Sequence, residues 1–411
     1  DRGAGGAAHE PGVGPATEGL RTFVIPIERL VGLLLACVAR IDGVGPVLEE
    51  LLTSHGHEIY TCFFPEAELT TRPRLTGGYA EAMGELRARA FARPPRRFLT
   101  PIGLLYEHTD AQGLRSRRIA IAAGGYAELG APGWTGMVAV APNFAVVRDL
   151  CDELVAPARP TTSGEAGELA GCPEFVAAPQ LPLRRILVCG FRPATVGLLE
   201  ALVLAEPQAQ ILVLLDDEAT LAVASERFRE HRSLAEYRTL SLSPGSFIAQ
   251  DDGSFVYQPR LQQELRCGRV HLAVGDRSSL LQFVDLPLGF GHAGDLDLAL
   301  LLATRREDGD ARTTQSLLAL EVARNRGGRR SSLRVVAEVV EAELCARLRR
   351  RACIRGDAHV LVYALENLRA AFLFQSVLIP AFNLVYGELL GPWGQSFTRK
   401  RARAAGSSTR R

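Results

Sequence analysis

The sequence predicts an α/β fold: a parallel sheet with helices on both faces, preceded by helices and a small β-rich lobe. Three observations predict it. From Leu183 onward, short apolar runs alternate with helical patterns, the rhythm of βαβ units whose strands are buried on both faces. The first run, 186–189, meets Gly190 and a helical pattern, and the next run, 211–215, ends in Asp216 and Asp217. That strand–turn–helix–strand–acid order is the one used to bind dinucleotides. Ahead of Leu183, residues 98–106, 118–123 and 136–140 read as short strands separated by Gly, Pro and Asp.

Taken in order, residues 1–20 read as disordered, being rich in Gly, Ala and Pro, and residues 21–66 as helices that close a preceding unit. In that segment Asp42-Gly43 breaks the helical pattern, Gly45-Pro46 opens the next helix, and 59–64 is a short strand. Residues 67–155 form a small α+β lobe whose first helix lies within 75–93. Residues 156–182, a run of Pro, Gly, Ala, Thr and Glu, read as a linker. The α/β unit spans 183–366. Its strands are 186–189, 211–215, 270–274, 296–303, 335–339 and 359–363, and its helices are 195–204, 278–284, 312–324 and 341–351. Residues 240–259 look like an insertion between the second and third strands. Residues 367–397 carry a crossover or dimerisation helix at 368–390, and 398–411 a disordered basic tail.

Composition narrows the function classes. At 411 residues the chain can hold two or three domains, and 47% hydrophobic with 23% charged residues is globular rather than disordered. A net charge of +1 gives no global attraction to nucleic acid. The eight cysteines form no C-x-x-C pair, which predicts reduced thiols in a cytosol-like compartment. The chain starts at Asp1 without a charged-then-apolar leader and reads as a fragment. Residues 27–41 are interrupted by Glu28, Arg29 and Arg40. Residues 370–390 contain Gln375, Pro380, Asn383 and Glu388, so a buried interface helix fits them better than a membrane span.

Candidate binding residues gather at the strand ends. Gly190 and the helix after it could hold an anion on free N–H groups, with Arg192 adding charge; the other reading is a tight turn that only feeds the helix. A G-x-G-x-x-G loop needs glycine at 190, 192 and 195, and this chain has Arg192 and Thr195. Asp216 and Asp217 stand where a ribose-binding acid belongs, or are oxygen ligands for a divalent cation, or are solvated. Asp310 is read as a helix cap. Glu338 lies inside an apolar strand, where a carboxylate needs a partner unless it faces outward at an edge. His55-x-His57 lacks the companion ligands of a metal site, and no nucleophile–base pattern suggests catalysis.

A weak echo links the two ends. Residues 30–56 and 374–394 both run from an apolar helix into x-V-x-x-E-L-L and then a glycine, as two copies of one unit would.

The motifs in order are Gly56-His57-Glu58-Ile59-Tyr60 with Pro65-Glu66, Pro101-Ile102-Gly103, Ile186-Leu187-Val188-Cys189-Gly190-Phe191-Arg192, Asp310-Ala311-Arg312-Thr313, and Glu338. This set resembles the CASTOR/POLLUX family of ion channels, whose gating ring is built from Rossmann-like RCK domains. The glycine-poor turn fits that family. The resemblance implies a non-enzymatic gating-ring portion of a cation channel, coupling ligand or Ca²⁺ binding to conduction. It also implies a homotetramer, a pore outside this sequence, and a nuclear-envelope or plastid membrane for the full-length protein. Helix 368–390 would then bury Phe372, Phe374, Leu378 and Phe382 against a neighbouring subunit. Alternatives are a stand-alone TrkA-like K⁺ transport regulator or a degenerate NAD(P)-binding oxidoreductase.

Overall fold

The structure is a computed structural model. It describes residues 27–41, 43–52, 56–64, 75, 78–93, 99–109, 115–121, 134–155, 175–177, 182–192, 194–231, 245–259, 268–304, 307–326, 333–357, 359–379, 382–390 and 400–402. Helices α1 (Ile27–Arg40) and α2 (Val44–Leu52) lead into a lobe made of β1 (Glu58–Phe63), α3 (Tyr79–Phe91), β2 (Thr100–Thr109), β3 (Arg115–Ile121), β4 (Trp134–Ala141) and α4 (Phe144–Val155). The four strands pair antiparallel in the order β1-β4-β2-β3. Trp134 is fully buried there, edge-on to Tyr79 and Tyr106.

The next unit is Rossmann-like. Its parallel strands are β6 (Arg185–Cys189), β7 (Gln210–Leu215), β10 (Arg269–Val274), β11 (Leu298–Leu301), β12 (Arg334–Val339) and β13 (Val360–Ala364). The helices between them are α5 (Thr195–Ala205), α6 (Glu218–Glu230), α7 (Leu280–Val284), α8 (Gly309–Arg326) and α9 (Ala342–Ile354). The order β13-β12-β11-β6-β7-β10 reverses direction between β6 and β11, the topological switch point at which doubly wound sheets open a crevice. Beyond β10 a hairpin, β8 (Gly245–Ala249) and β9 (Phe255–Pro259), extends the sheet antiparallel. The segment expected as an insertion thus supplies two strands, held by Tyr257, whose hydroxyl donates to Glu200 on α5 at 2.7 Å. The helix α6 has no counterpart among the helices expected from periodicity; only Ala224 and Phe228 are buried on it, too few for a clear apolar stripe.

After β13 the chain forms α10 (Leu365–Leu378) and α11 (Phe382–Leu390), so the single helix expected over 368–390 is two. Ile379 is extended, at φ −106° and ψ 108°, because a residue before proline is driven out of helical geometry. The basic tail also differs from expectation. Lys400–Ala402 forms strand β14, paired antiparallel with β5 (Phe175–Ala177) inside the segment read as a linker, and the pairing gives both backbones hydrogen-bond partners.

The two echoing segments are therefore helix pairs, α1–α2 and α10–α11, and they pack against each other. They also exchange places. Helix α1 precedes the lobe in sequence yet packs on α5 and β12 of the Rossmann-like unit, whereas α11 follows that unit and packs on β3 of the lobe. Residues Leu30–Ala39 are buried all round, as a helix enclosed on every side must be. Carbonyls left without helical partners at the buried helix ends find donors in the packed elements. Tyr386 donates to Leu51 O at 3.0 Å, Gln375 to Leu52 O at 3.4 Å, and Arg334 to Ala39 O at 2.7 Å.

This packing corrects the expected subunit-facing set. Phe372 and Phe382 are buried within the chain, Phe372 edge-on to Tyr386 and Phe382 tilted against it, whereas Phe374 is exposed together with Leu373 and Val377. The side chain of Leu378 lies outside the described residues. Among the described residues no helix is long and apolar enough to cross a membrane.

Candidate functional site

The crevice lies at the carboxyl ends of β6, β7, β10 and β11. Gly190 leaves β6 with φ +92°, a left-handed conformation that favours glycine, and its N–H donates to Leu214 O at 2.9 Å. The turn then closes on itself. Thr195 Oγ1 accepts from the Arg192 N–H at 3.0 Å, and the Thr195 N–H donates to Arg192 O at 2.8 Å. An N–H that a phosphate-binding loop would offer to its ligand is thus satisfied by the side chain standing where the third glycine would be.

The space above Gly190 is occupied by Arg277. A Cβ built on Gly190 would lie 2.8 Å from Arg277 Nη1. Arg277 is 1% exposed and donates to Leu302 O at 3.1 Å and to Thr304 Oγ1 at 3.4 Å. The turn after β10 aims it inward: Asp276 accepts from the Ser278 N–H at 2.9 Å and from its hydroxyl at 2.5 Å. These two bonds also hold the Asp276 carboxyl below its usual range. Arg277 Nε lies 3.0 Å from Asp216 Oδ1, at an angle outside hydrogen-bond range, so that contact is electrostatic.

Arg192 turns away from the crevice. Its Nη2 donates to Glu338 at 2.5 Å and its Nη1 to Glu28 at 3.0 Å, and Glu28 is also held by Arg369. Glu338 accepts a further bond from the Ala303 N–H at 3.2 Å. It is fully buried, and burial pushes its carboxyl above the ordinary range despite the opposing guanidinium and N–H. The network ties together the glycine turn, β12, α1 and α10. Arg192 is therefore not an anion ligand in the crevice, since a buried charge takes the nearest opposite charge. Glu338 faces inward, not outward at an edge.

The remaining acids divide similarly. Asp217 caps α6, accepting from the Thr220 N–H at 2.7 Å and hydroxyl at 2.6 Å. It is a helix cap rather than a ribose ligand. Asp310 was expected to cap its own helix; it instead accepts from the N–H groups of Val340 at 2.7 Å and Glu341 at 2.9 Å, fixing the turn from β12 to α9. Asp216, unlike Asp217, Asp310 and Glu338, faces a cavity of about 510 Å³, lined also by Asp276, Ser278, Asp308, Arg312 and Gln315. Arg312 lies 3.4 Å from Asp216 and 2.5 Å from Asp308. Asp216 and Asp308 are paired with arginines and Asp276 Oδ1 is taken by Ser278, which does not leave the free oxygen set that Ca²⁺ requires. Among the described residues no three His, Cys, Asp or Glu side chains gather closely enough to hold a metal ion. Of the His55 and His57 pair, His55 lies outside the described residues.

The structure thus brings Gly190 and Asp216 to the crevice and moves Arg192 and Glu338 to a buried network behind it. Sequence reasoning missed Arg277, because an arginine after a strand is an ordinary solvated residue until long-range packing closes over it, and it gave Arg312 no part in the crevice beyond its place in the Asp310–Thr313 motif.

No protein-family model matches the chain, and no curated protein does. Among solved structures the chain is similar to the human SLO3 gating ring, with a TM-score of 0.48 and 8% identity. The match covers 88% of this chain and 60% of that one, so the chain spans less than two thirds of its length.

Proposed function

We propose that this chain is the regulatory, gating-ring portion of a CASTOR/POLLUX-like cation channel, converting ligand occupancy of the crevice into a shift between ring conformations. The observation that carries the reading is Arg277 over Gly190. A dinucleotide pyrophosphate must approach that glycine closely, and here a buried guanidinium stands in its way with three protein partners of its own. A guanidinium in that position disfavours the oxidoreductase reading. The Arg192–Glu338–Glu28–Arg369 network supports the regulatory one, since it joins the crevice turn to both exchanged helix pairs. A displacement at the turn is felt at α1 and α10 directly.

The chain assembles with copies of itself through the exposed face of α10, as a homotetramer in the intact channel. Nucleic acid is not a partner. Among the described residues no Ca²⁺ cage gathers in the crevice, and the reading places a Ca²⁺ response outside it. Light scattering over a wide concentration range, with and without Ca²⁺, tests the proposal. Concentration-dependent assembly is the expected result; a strict monomer at high concentration in both conditions overturns it.

A further inference from the structure

The β-rich lobe carries a feature independent of the gating reading. Strand β1 presents alternate residues to α4: Tyr60 lies with its ring centroid 6.0 Å from that of Phe144, and Cys62 comes next on the same face. On α4, Val147, Leu150, Cys151 and Leu154 form the buried stripe that meets β1. The strand period and the helix period therefore converge on one buried cluster, where the Cys62 and Cys151 thiols lie close enough to interact, with the Cys62 Sγ also donating to Phe63 O at 3.9 Å. Both cysteines are unbridged, with Cys62 7% exposed and Cys151 1% exposed.

We propose that Cys62 and Cys151 are a peroxide-sensitive dithiol that closes to an intramolecular disulfide and pins α4 to β1. The pair is chemically asymmetric. Contact between the two sulfurs lowers the Cys62 thiol and, together with burial, raises that of Cys151. Cys62, the more exposed sulfur, is the nucleophile. Its thiolate takes one oxygen from hydrogen peroxide, releasing hydroxide and leaving a sulfenic acid. The Cys151 sulfur then displaces that hydroxyl, which leaves as water with the Cys151 proton, and the S–S bond forms. One peroxide is reduced by two electrons, supplied jointly by the two sulfurs. A dithiol reductant reverses the reaction by exchange. The other buried cysteines, Cys37, Cys189 and Cys345, have thiols raised by burial and make poor competitors.

The test treats the full chain with hydrogen peroxide, quenches in acid, alkylates under denaturing conditions and maps peptides by mass spectrometry. The expected product carries two fewer alkyl groups and a Cys62–Cys151 cross-linked peptide that dithiothreitol dissolves. Cys62→Ser and Cys151→Ser each abolish it. Because either variant could fail to fold, the wild-type chain is also oxidised in urea, where bridging of this pair should slow about tenfold or more once the fold no longer holds the thiols together. Persistent alkylation of both thiols, oxidation of Cys62 to sulfinic acid without a bridge, or bridging equally fast in urea overturns the proposal.

Discussion

Arg277 holds its guanidinium 2.8 Å from where a Cβ on Gly190 would be, so each residue fixes what the other position can accept. An alanine at 190 meets both a left-handed backbone, costing about 1–2 kcal/mol, and the guanidinium. Arg277→Ala removes the clash but leaves Asp216 with the more distant Arg312, at a cost of about 3 kcal/mol. Measured by urea melts, the double variant should be more stable than the sum of the single losses, by at least about 0.5 kcal/mol. Strict additivity would show that the two do not touch.

NADH should not bind the wild-type chain saturably, as read by fluorescence titration, because the seat is filled. Asp217→Ala should cost about 1 kcal/mol of stability through loss of the α6 cap. It should leave any nucleotide signal unchanged. Saturable NADH binding abolished by Asp217→Ala would restore the oxidoreductase reading.

The buried pair behind the turn makes a sharper contrast. Arg192→Ala leaves Glu338 without its guanidinium and should destabilise by about 3–5 kcal/mol. Arg192→Met combined with Glu338→Leu removes both charges and should recover most of that loss. Thermal unfolding of the three proteins decides it. Equal losses in the single and double variants would mean that the ion pair itself, rather than the stranded carboxylate, supplies the stability.

Glu388 on α11 predicts a pH dependence. Burial raises its carboxyl from 4.5 to about 7 in the folded chain. A raised folded value means that the protonated form is favoured by folding. This contribution is fully present below pH 4.5 and is lost as the pH rises through about 7. Glu388→Gln should therefore be the more stable protein at about pH 8, by roughly 2–3 kcal/mol. The difference should vanish as the pH falls toward 4.5. A difference independent of pH would place the titration elsewhere.

Phe374→Arg tests the α10 face. Leu373, Phe374 and Val377 are exposed within the chain, so the substitution should shift the melting free energy by no more than about 0.5 kcal/mol. It should nevertheless reduce assembly measured by sedimentation. Unchanged assembly would move the interface to another surface.

Much of this protein was determined locally by its sequence. The apolar runs at 186–189, 211–215 and 335–339 are strands of one parallel sheet, because a strand buried on both faces must be apolar throughout. Glycine at 190 marks the left-handed turn, and a carboxylate inside such a strand required a partner, which Glu338 has. What periodicity cannot carry is which distant side chain arrives. Arg277 over Gly190, Arg192 against Glu338, Cys62 beside Cys151, and Phe372 inside while Phe374 stays outside were decided by tertiary packing. The physical reason is the exchange of the two helix pairs and the closing of the strand ends. These bring charges and thiols far apart in sequence into one dry interior, where each must find the nearest partner rather than water.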